Sequence, residues 1–248
     1  MILNVARKEL KSLFASPMGW VILALLQAWL GWHFYLGIIG YLDIASGAIR
    51  PAERVGVTAF IGQGLFGQAS FVMLMAIPLL SMRLISEERR NQSLPFLFTA
   101  PLSLTEIVLG KFIGLVVFLS FLVFMIALMM LTLNVWADID FGYIVSNLLG
   151  LMLLVASFSA LGLYFSSLTA HPVIAAIFTF IALLGLLMVD RFLTGDNATF
   201  GNYISFMRHF QPFSRGLIDT ADVAYFLLFI ITFLTLTVRR LDADRLRG

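Results

Sequence analysis

Six apolar runs dominate this sequence, at roughly residues 18–41, 64–84, 107–131, 144–168, 172–189 and 223–238. A helix needs about 20 consecutive apolar residues to cross the hydrocarbon of a bilayer. Backbone buried in lipid must satisfy its own hydrogen bonds, which leaves only helices and closed barrels as spanning structures. Strands that alternate polar with apolar residues are absent, which argues against the barrel. The runs therefore predict an all-α polytopic membrane protein of six transmembrane helices in one membrane domain, 1–248. Composition agrees, with 60% hydrophobic and 12% charged residues where soluble domains carry about a quarter charged.

An even number of crossings puts both termini on one side. That side carries Arg7, Lys8, Lys11, Arg83, Arg89, Arg90, Lys111, Arg239, Arg240, Arg245 and Arg247; the other carries Arg50, Arg54, Arg191, Arg208 and Arg215. Eleven cations against five place the termini in the cytoplasm by the positive-inside rule. The first run is too long for a signal-peptide core and lacks a small-residue cleavage pattern after it, so it is expected to stay as a span. No cysteine is present, and a formal charge of +2 is too small to suggest a nucleic-acid partner.

Ahead of the first span, residues 1–15 read as an amphipathic helix. Leu3, Ala6, Leu10, Leu13 and Phe14 fall on one face, with Asn4, Arg7, Lys8, Lys11 and Ser12 on the other. Such a helix lies at the headgroup boundary with Arg7, Lys8 and Lys11 toward anionic lipid; an amphipathic tail in solution is the alternative.

The stretch RLISEERRNQSLPFLFTAPLSLTEIVLGK, residues 83–111, is the long charged segment between spans two and three. Helix-compatible residues from Arg83 to Arg90 continue the second span for about two turns, and Asn91 is the stop. Ser93 can cap a short helix with Pro95 in its first turn, and Pro101 ends it. Ser103-Leu104-Thr105-Glu106 fits a capping box that starts the third span. Leu94, Phe96, Leu97 and Phe98 cannot all face inward from so short a helix. They are either a docking knob for another protein or a dip back into the bilayer interface.

The same stretch strongly resembles the region between the second and third spans of type-2 ABC (ATP-binding cassette) exporter permeases, including the gliding-motility-associated branch. There an arginine, a glutamate pair, a Thr-Ala-Pro step and a glycine-lysine step recur, here Arg83, Glu87-Glu88, Thr99-Ala100-Pro101 and Gly110-Lys111. The opening NVARKELKSLFASPMGW and the later HFQPFSRGLIDTADVAYF, residues 209–226, are similar to the same branch. The resemblance implies a cytoplasmic coupling helix over Gln92, Ser93, Leu94, Phe96, Leu97, Phe98 and Thr99, seated in a groove of a separate ATPase subunit. It also implies that Glu87 and Glu88 belong to a gate helix or to the ATPase contacts. The usual glycine-threonine ahead of the apolar island is Gln92-Ser93 here. By the same resemblance the chain is a bacterial inner-membrane subunit that binds no cofactor itself. ATP and Mg would sit on the partner, a second permease copy or paralogue would complete a dimer, and a periplasmic accessory protein would be a further partner. Export of cargo is the first function this implies; a scaffold passing ATPase motion to a periplasmic partner without moving solute is the second.

The residues carry little other chemistry. Gly110-Lys111 is not part of a phosphate-binding G-x-x-x-x-G-K-[ST] loop, so any ATPase motor is a different chain. His33, His171 and His209 are widely spaced and form no zinc motif. Ser157, Ser159, Ser166 and Ser167 lie within or at the end of a span and suit helix-helix hydrogen bonding better than nucleophilic catalysis. Gly110 and Gly114, and Ala156 and Ala160, give small-xxx-small steps that allow helices to approach closely. Pro78 removes one backbone donor inside the second span. Segment 190–222 is dense in phenylalanine and reads as a periplasmic piece that lies at, or re-enters, the membrane interface, with a loosely ordered loop as the alternative.

Overall fold

Ser16 sets the first corner of the fold. A residue ahead of proline is pushed out of the helical region, and Ser16 is extended (φ −77°, ψ 123°) between α1 (Ile2–Ala15) and α2 (Pro17–Ala45). Pro17 occupies the first turn of α2, where its missing amide hydrogen is not needed. The Trp20 indole closes the corner by donating to the Phe14 carbonyl at 2.7 Å.

The computed structural model describes residues 1–47, 56–92, 103–193 and 205–245, and among these there is no strand. After α2 come α3 (Val57–Ser81), a turn over 82–85, and the short α4 (Ser86–Arg90). Then follow α5 (Leu104–Thr132) with a 3₁₀ turn at Leu133–Val135, α6 (Phe141–Leu168), α7 (Pro172–Leu193), α8 (Phe206–Ser214) and α9 (Thr220–Arg245). Five helical stretches, α2, α3 with α4, α5, α6 and α9, are long and apolar enough to cross a membrane, and α7 carries a shorter apolar stretch, Pro172–Met188. The chain is thus an all-helical membrane protein with five to six candidate spans.

Local chemistry explains the helix starts. Ser103 accepts from the Glu106 amide at 3.2 Å while its own amide donates to the Glu106 carboxylate at 3.0 Å, the reciprocal box expected at the head of α5. Asp140 caps α6 by accepting from the Tyr143 amide at 3.0 Å, and its own amide donates to Thr58 of α3 at 3.1 Å.

α3 and α6 form the centre. Nearly every turn of α6 buries a residue, from Tyr143 through Leu151 and Phe158 to Ser167. α2 and α9 lie outside, with Trp20, Trp32, Tyr35, Leu228 and Ile231 more than half exposed. Helices that are apolar all round suit a lipid exterior as well as a packed interior, so only packing distinguishes the two faces.

α8 lies beside α6 rather than beyond its end. Its Phe206, Phe210 and Phe213 are buried on one face. Phe206 meets Phe158 with ring centroids 5.2 Å apart, about 25 Å along α6 from Phe141 at 1.5 Å per residue. Phe213 packs on Gly150 so closely that a β-carbon there would come within 2.6 Å of it. The helix ends in a Schellman turn: Gly216 (φ +84°) donates to the Phe213 carbonyl and Leu217 to the Pro212 carbonyl.

Candidate functional site

Three charged residues of the 83–111 stretch, Glu88, Arg89 and Lys111, come together with α1 and with the ends of α6 and α9. α3 stops at Ser81, three residues after Pro78, and the chain turns before α4 begins at Ser86. Helix-compatible residues run on to Arg90, yet the helix is interrupted, and α6 supplies the hydrogen bonds that the turn lacks. The buried Ser166 hydroxyl accepts from the amides of Ile85 and Ser86, each at 3.1 Å, and donates to the Met82 carbonyl at 3.0 Å. Ser86 also bonds the Met82 carbonyl with its own hydroxyl.

α4 is only five residues long, yet its side chains reach three more elements. Glu88 lies 2.8 Å from the Lys111 ammonium of α5, and Glu9 of α1 lies 3.3 Å from the same nitrogen. The Lys111 side chain is 4% exposed, so its charge is compensated by these two carboxylates rather than by water. Arg89 pairs with Asp244 near the end of α9 and donates to the Ser167 carbonyl at the end of α6 at 2.7 Å. Arg240 stands 3.6 Å from Asp244 on the next turn. Glu87 is exposed, as are Arg83 and Arg90.

Gln92 follows α4 with φ +54°, the left-handed conformation that glycine adopts without strain. It is exposed. Ser93, Leu94, Phe96, Leu97, Phe98 and Thr99, the remainder of the expected coupling helix, lie outside the described residues.

α1 is held on the bundle by shape. Gly110 and Gly114, the small-xxx-small pair of the sequence, form the seat: a β-carbon on Gly110 would stand 2.5 Å from Val5, and one on Gly114 would stand 2.8 Å from Glu9. The face turned to α5 is made by Ile2, Val5, Ala6, Glu9, Leu10, Leu13 and Phe14, while Arg7, Lys8 and Lys11 are exposed. Leu3, placed on the apolar face by the sequence, is 76% exposed. Close approach at the two glycines rotates the helix so that Val5 and Glu9 enter the contact and Leu3 leaves it.

A second ionic contact sits where α8 meets α9. His209 Nδ1 lies 2.6 Å from the buried Asp222 carboxylate, and the imidazole stacks on Tyr225 at 4.1 Å. The sequence hid it because its two partners belong to different helices. His33 bonds the Trp29 carbonyl of its own helix at 3.0 Å, and His171 precedes α7 with its amide on the Thr169 hydroxyl at 3.1 Å. Among the described residues no three histidine, aspartate or glutamate side chains come together as metal ligands.

At the end bearing α1 and α4, then, charge, capping and helix packing connect α1, α4, α5, α6 and α9. Buried ionic and hydrogen-bond contacts thus join elements that are far apart in the sequence. Residues 3–245 match the model of a family described as ABC-2 family transporter protein. No curated protein matches the chain.

Proposed function

Because the chain belongs to the ABC-2 family of transporter proteins, whose membrane proteins generally partner with a cytoplasmic ATPase subunit, we propose that it is the permease subunit of an ATP-driven exporter in the bacterial inner membrane. The supporting observation is α4: a five-residue helix, directly ahead of the apolar island at 94–98, whose flanking turn and side chains engage three other helices, α5, α6 and α9. Force applied to the island reaches α5 and α1 through Glu88 and Lys111, and reaches α6 and α9 through Ser166, Arg89 and Asp244.

In this reading ATP and Mg bind the separate ATPase, and both termini face it in the cytoplasm. Gln92 to Thr99 seat in the ATPase groove. Glu88 belongs to the internal linkage, which leaves Glu87, being exposed, as the acid able to touch the partner. A second permease copy or paralogue supplies the other half of the path, and cargo moves along apolar and aromatic helix faces. A periplasmic accessory protein would meet the opposite end.

Co-purification with the ATPase tests the docking. Phe96→Asp or Phe98→Asp is expected to abolish it while leaving the folded permease in the membrane; retained ATPase binding in both variants would refute the reading. Reconstituted vesicles test transport itself: nucleotide-dependent passage of cargo is expected. A complex that hydrolyses ATP, moves nothing and captures a periplasmic partner would instead be a scaffold passing on ATPase motion.

A further inference from the structure

Between the α1–α2 corner and the α3–α4 turn lies a cleft of about 220 Å³, smaller than the roughly 300 Å³ at which pockets for drug-sized ligands begin. Its lining is divided. Ser12, Ser16, Arg83 and Glu87 make one part and Glu9 adds a further carboxylate; Met18, Leu79 and Leu80 make the other. These apolar residues belong to the first turn of α2 and the last turn of α3, where the candidate spans reach the end of the bundle that bears α1. A small site that is ionic on one side and apolar on the other, at the edge of the spans, is built for the junction of a headgroup and its chains.

Arg83 and Glu87 make no ion pair or side-chain hydrogen bond among the described residues, although both line the cleft and their neighbours Glu88 and Arg89 are ion-paired. Glu9 is shared with Lys111. A ligand carrying only negative charge would meet one guanidinium and two carboxylates. A headgroup with a phosphate and a primary ammonium matches all three, since arginine prefers phosphate oxygens and an ammonium donates up to three hydrogen bonds to carboxylates. A choline headgroup has no N–H to give.

We propose that this cleft binds an ethanolamine phospholipid from the leaflet at the α1 end, with its phosphate on Arg83, its ammonium between Glu87 and Glu9, and its acyl chains leaving past Met18 and Leu79. Ser12 and Ser16 offer hydroxyls to the remaining phosphate oxygens. The cleft shares Glu87 with the proposed ATPase contact, but lipid retention is measured on the permease alone, so its failure is distinguishable from failure of the docking.

Native mass spectrometry of the full chain, purified in dodecyl maltoside micelles doped equally with dioleoyl phosphatidylethanolamine, phosphatidylcholine or phosphatidylglycerol, reads the preference directly. The ethanolamine lipid is expected to be retained about tenfold more tightly than the choline lipid, the factor that one charge-assisted hydrogen bond supplies. Glu87→Gln should remove that preference, whereas Arg83→Gln, which deletes a phosphate contact common to all three lipids, should weaken retention of the ethanolamine and choline lipids alike. Arg239→Gln, which deletes an exposed cation at the same end, should leave it unchanged. Equal retention of the choline lipid, stronger retention of the glycerol lipid, unaltered selectivity in Glu87→Gln, or unaltered retention in Arg83→Gln would overturn the proposal. Competition by glycerophosphoethanolamine as effective as that of the whole lipid would overturn the membrane source, because the apolar wall would then contribute nothing.

Discussion

Lys111 of α5 holds Glu88 of α4 at 2.8 Å, with a lysine side chain only 4% exposed. Glu9 approaches the same nitrogen from α1. Two helix ends that are far apart in sequence are thereby tied to the start of one span. Removing one partner of a buried ion pair leaves uncompensated charge and is strongly destabilising, whereas removing both sides together is far milder.

Lys111→Met is therefore expected to destabilise the protein by about 2–4 kcal/mol, less than the full penalty of a deeply buried pair because both glutamates are partly exposed. Adding Glu9→Gln and Glu88→Gln to that variant should recover part of the loss. Thermal unfolding in detergent, read as a mutant cycle, measures the coupling; additive effects would show that the three groups do not interact.

Ser166→Ala leaves the Ile85 and Ser86 amides without their acceptor inside a buried turn. A cost of about 1–3 kcal/mol is expected for the unsatisfied donors. Ser167→Ala, which removes a hydroxyl bonded only to the Tyr164 carbonyl of its own helix, should cost less. Comparing the two melting temperatures checks whether α6 braces the α3–α4 turn.

At Gln92 the backbone is left-handed, φ +54°. A residue with a β-carbon pays about 1–2 kcal/mol there, so Gln92→Gly is expected to raise stability by about 1 kcal/mol. A β-branched replacement such as Gln92→Val should lower it. Melting temperatures of the two variants, moving in opposite directions, are the readout.

Gly110→Leu puts a side chain where Val5 already stands, since even a β-carbon would be 2.5 Å from it. Overpacking of this kind costs about 1–3 kcal/mol, and the cheapest relief is for α1 to lift. Faster amide exchange over residues 2–15, with exchange in α6 unchanged, is the expected signature; uniform loosening of the whole bundle would contradict it.

Much of the architecture is legible in the amino-acid order because its causes are local. Apolar runs of sufficient length announce α2, α3, α5, α6, α7 and α9, and Ser103 with Glu106 marks the start of α5 to the residue. Gly110 and Gly114 signal a close approach without revealing its partner. The break after Ser81 was not legible: every residue from Arg83 to Arg90 is helix-compatible, and what interrupts the helix is a hydroxyl about eighty positions later. His209 and Asp222 likewise read as isolated polar residues until α8 is laid against α9.

The sequence by itself determined that this chain is an all-helical membrane protein and, through Ser103 and Glu106, where α5 begins. These follow from transfer of backbone and side chains into lipid, a property of each segment alone. Only the tertiary structure decided which side of each apolar helix is buried, that α1 docks on α5, and that Lys111, Glu88 and Glu9 share one site. A helix apolar on all sides carries no record of its neighbour; contact shape and the pairing of buried charge supply that choice, and both exist only once distant segments have met.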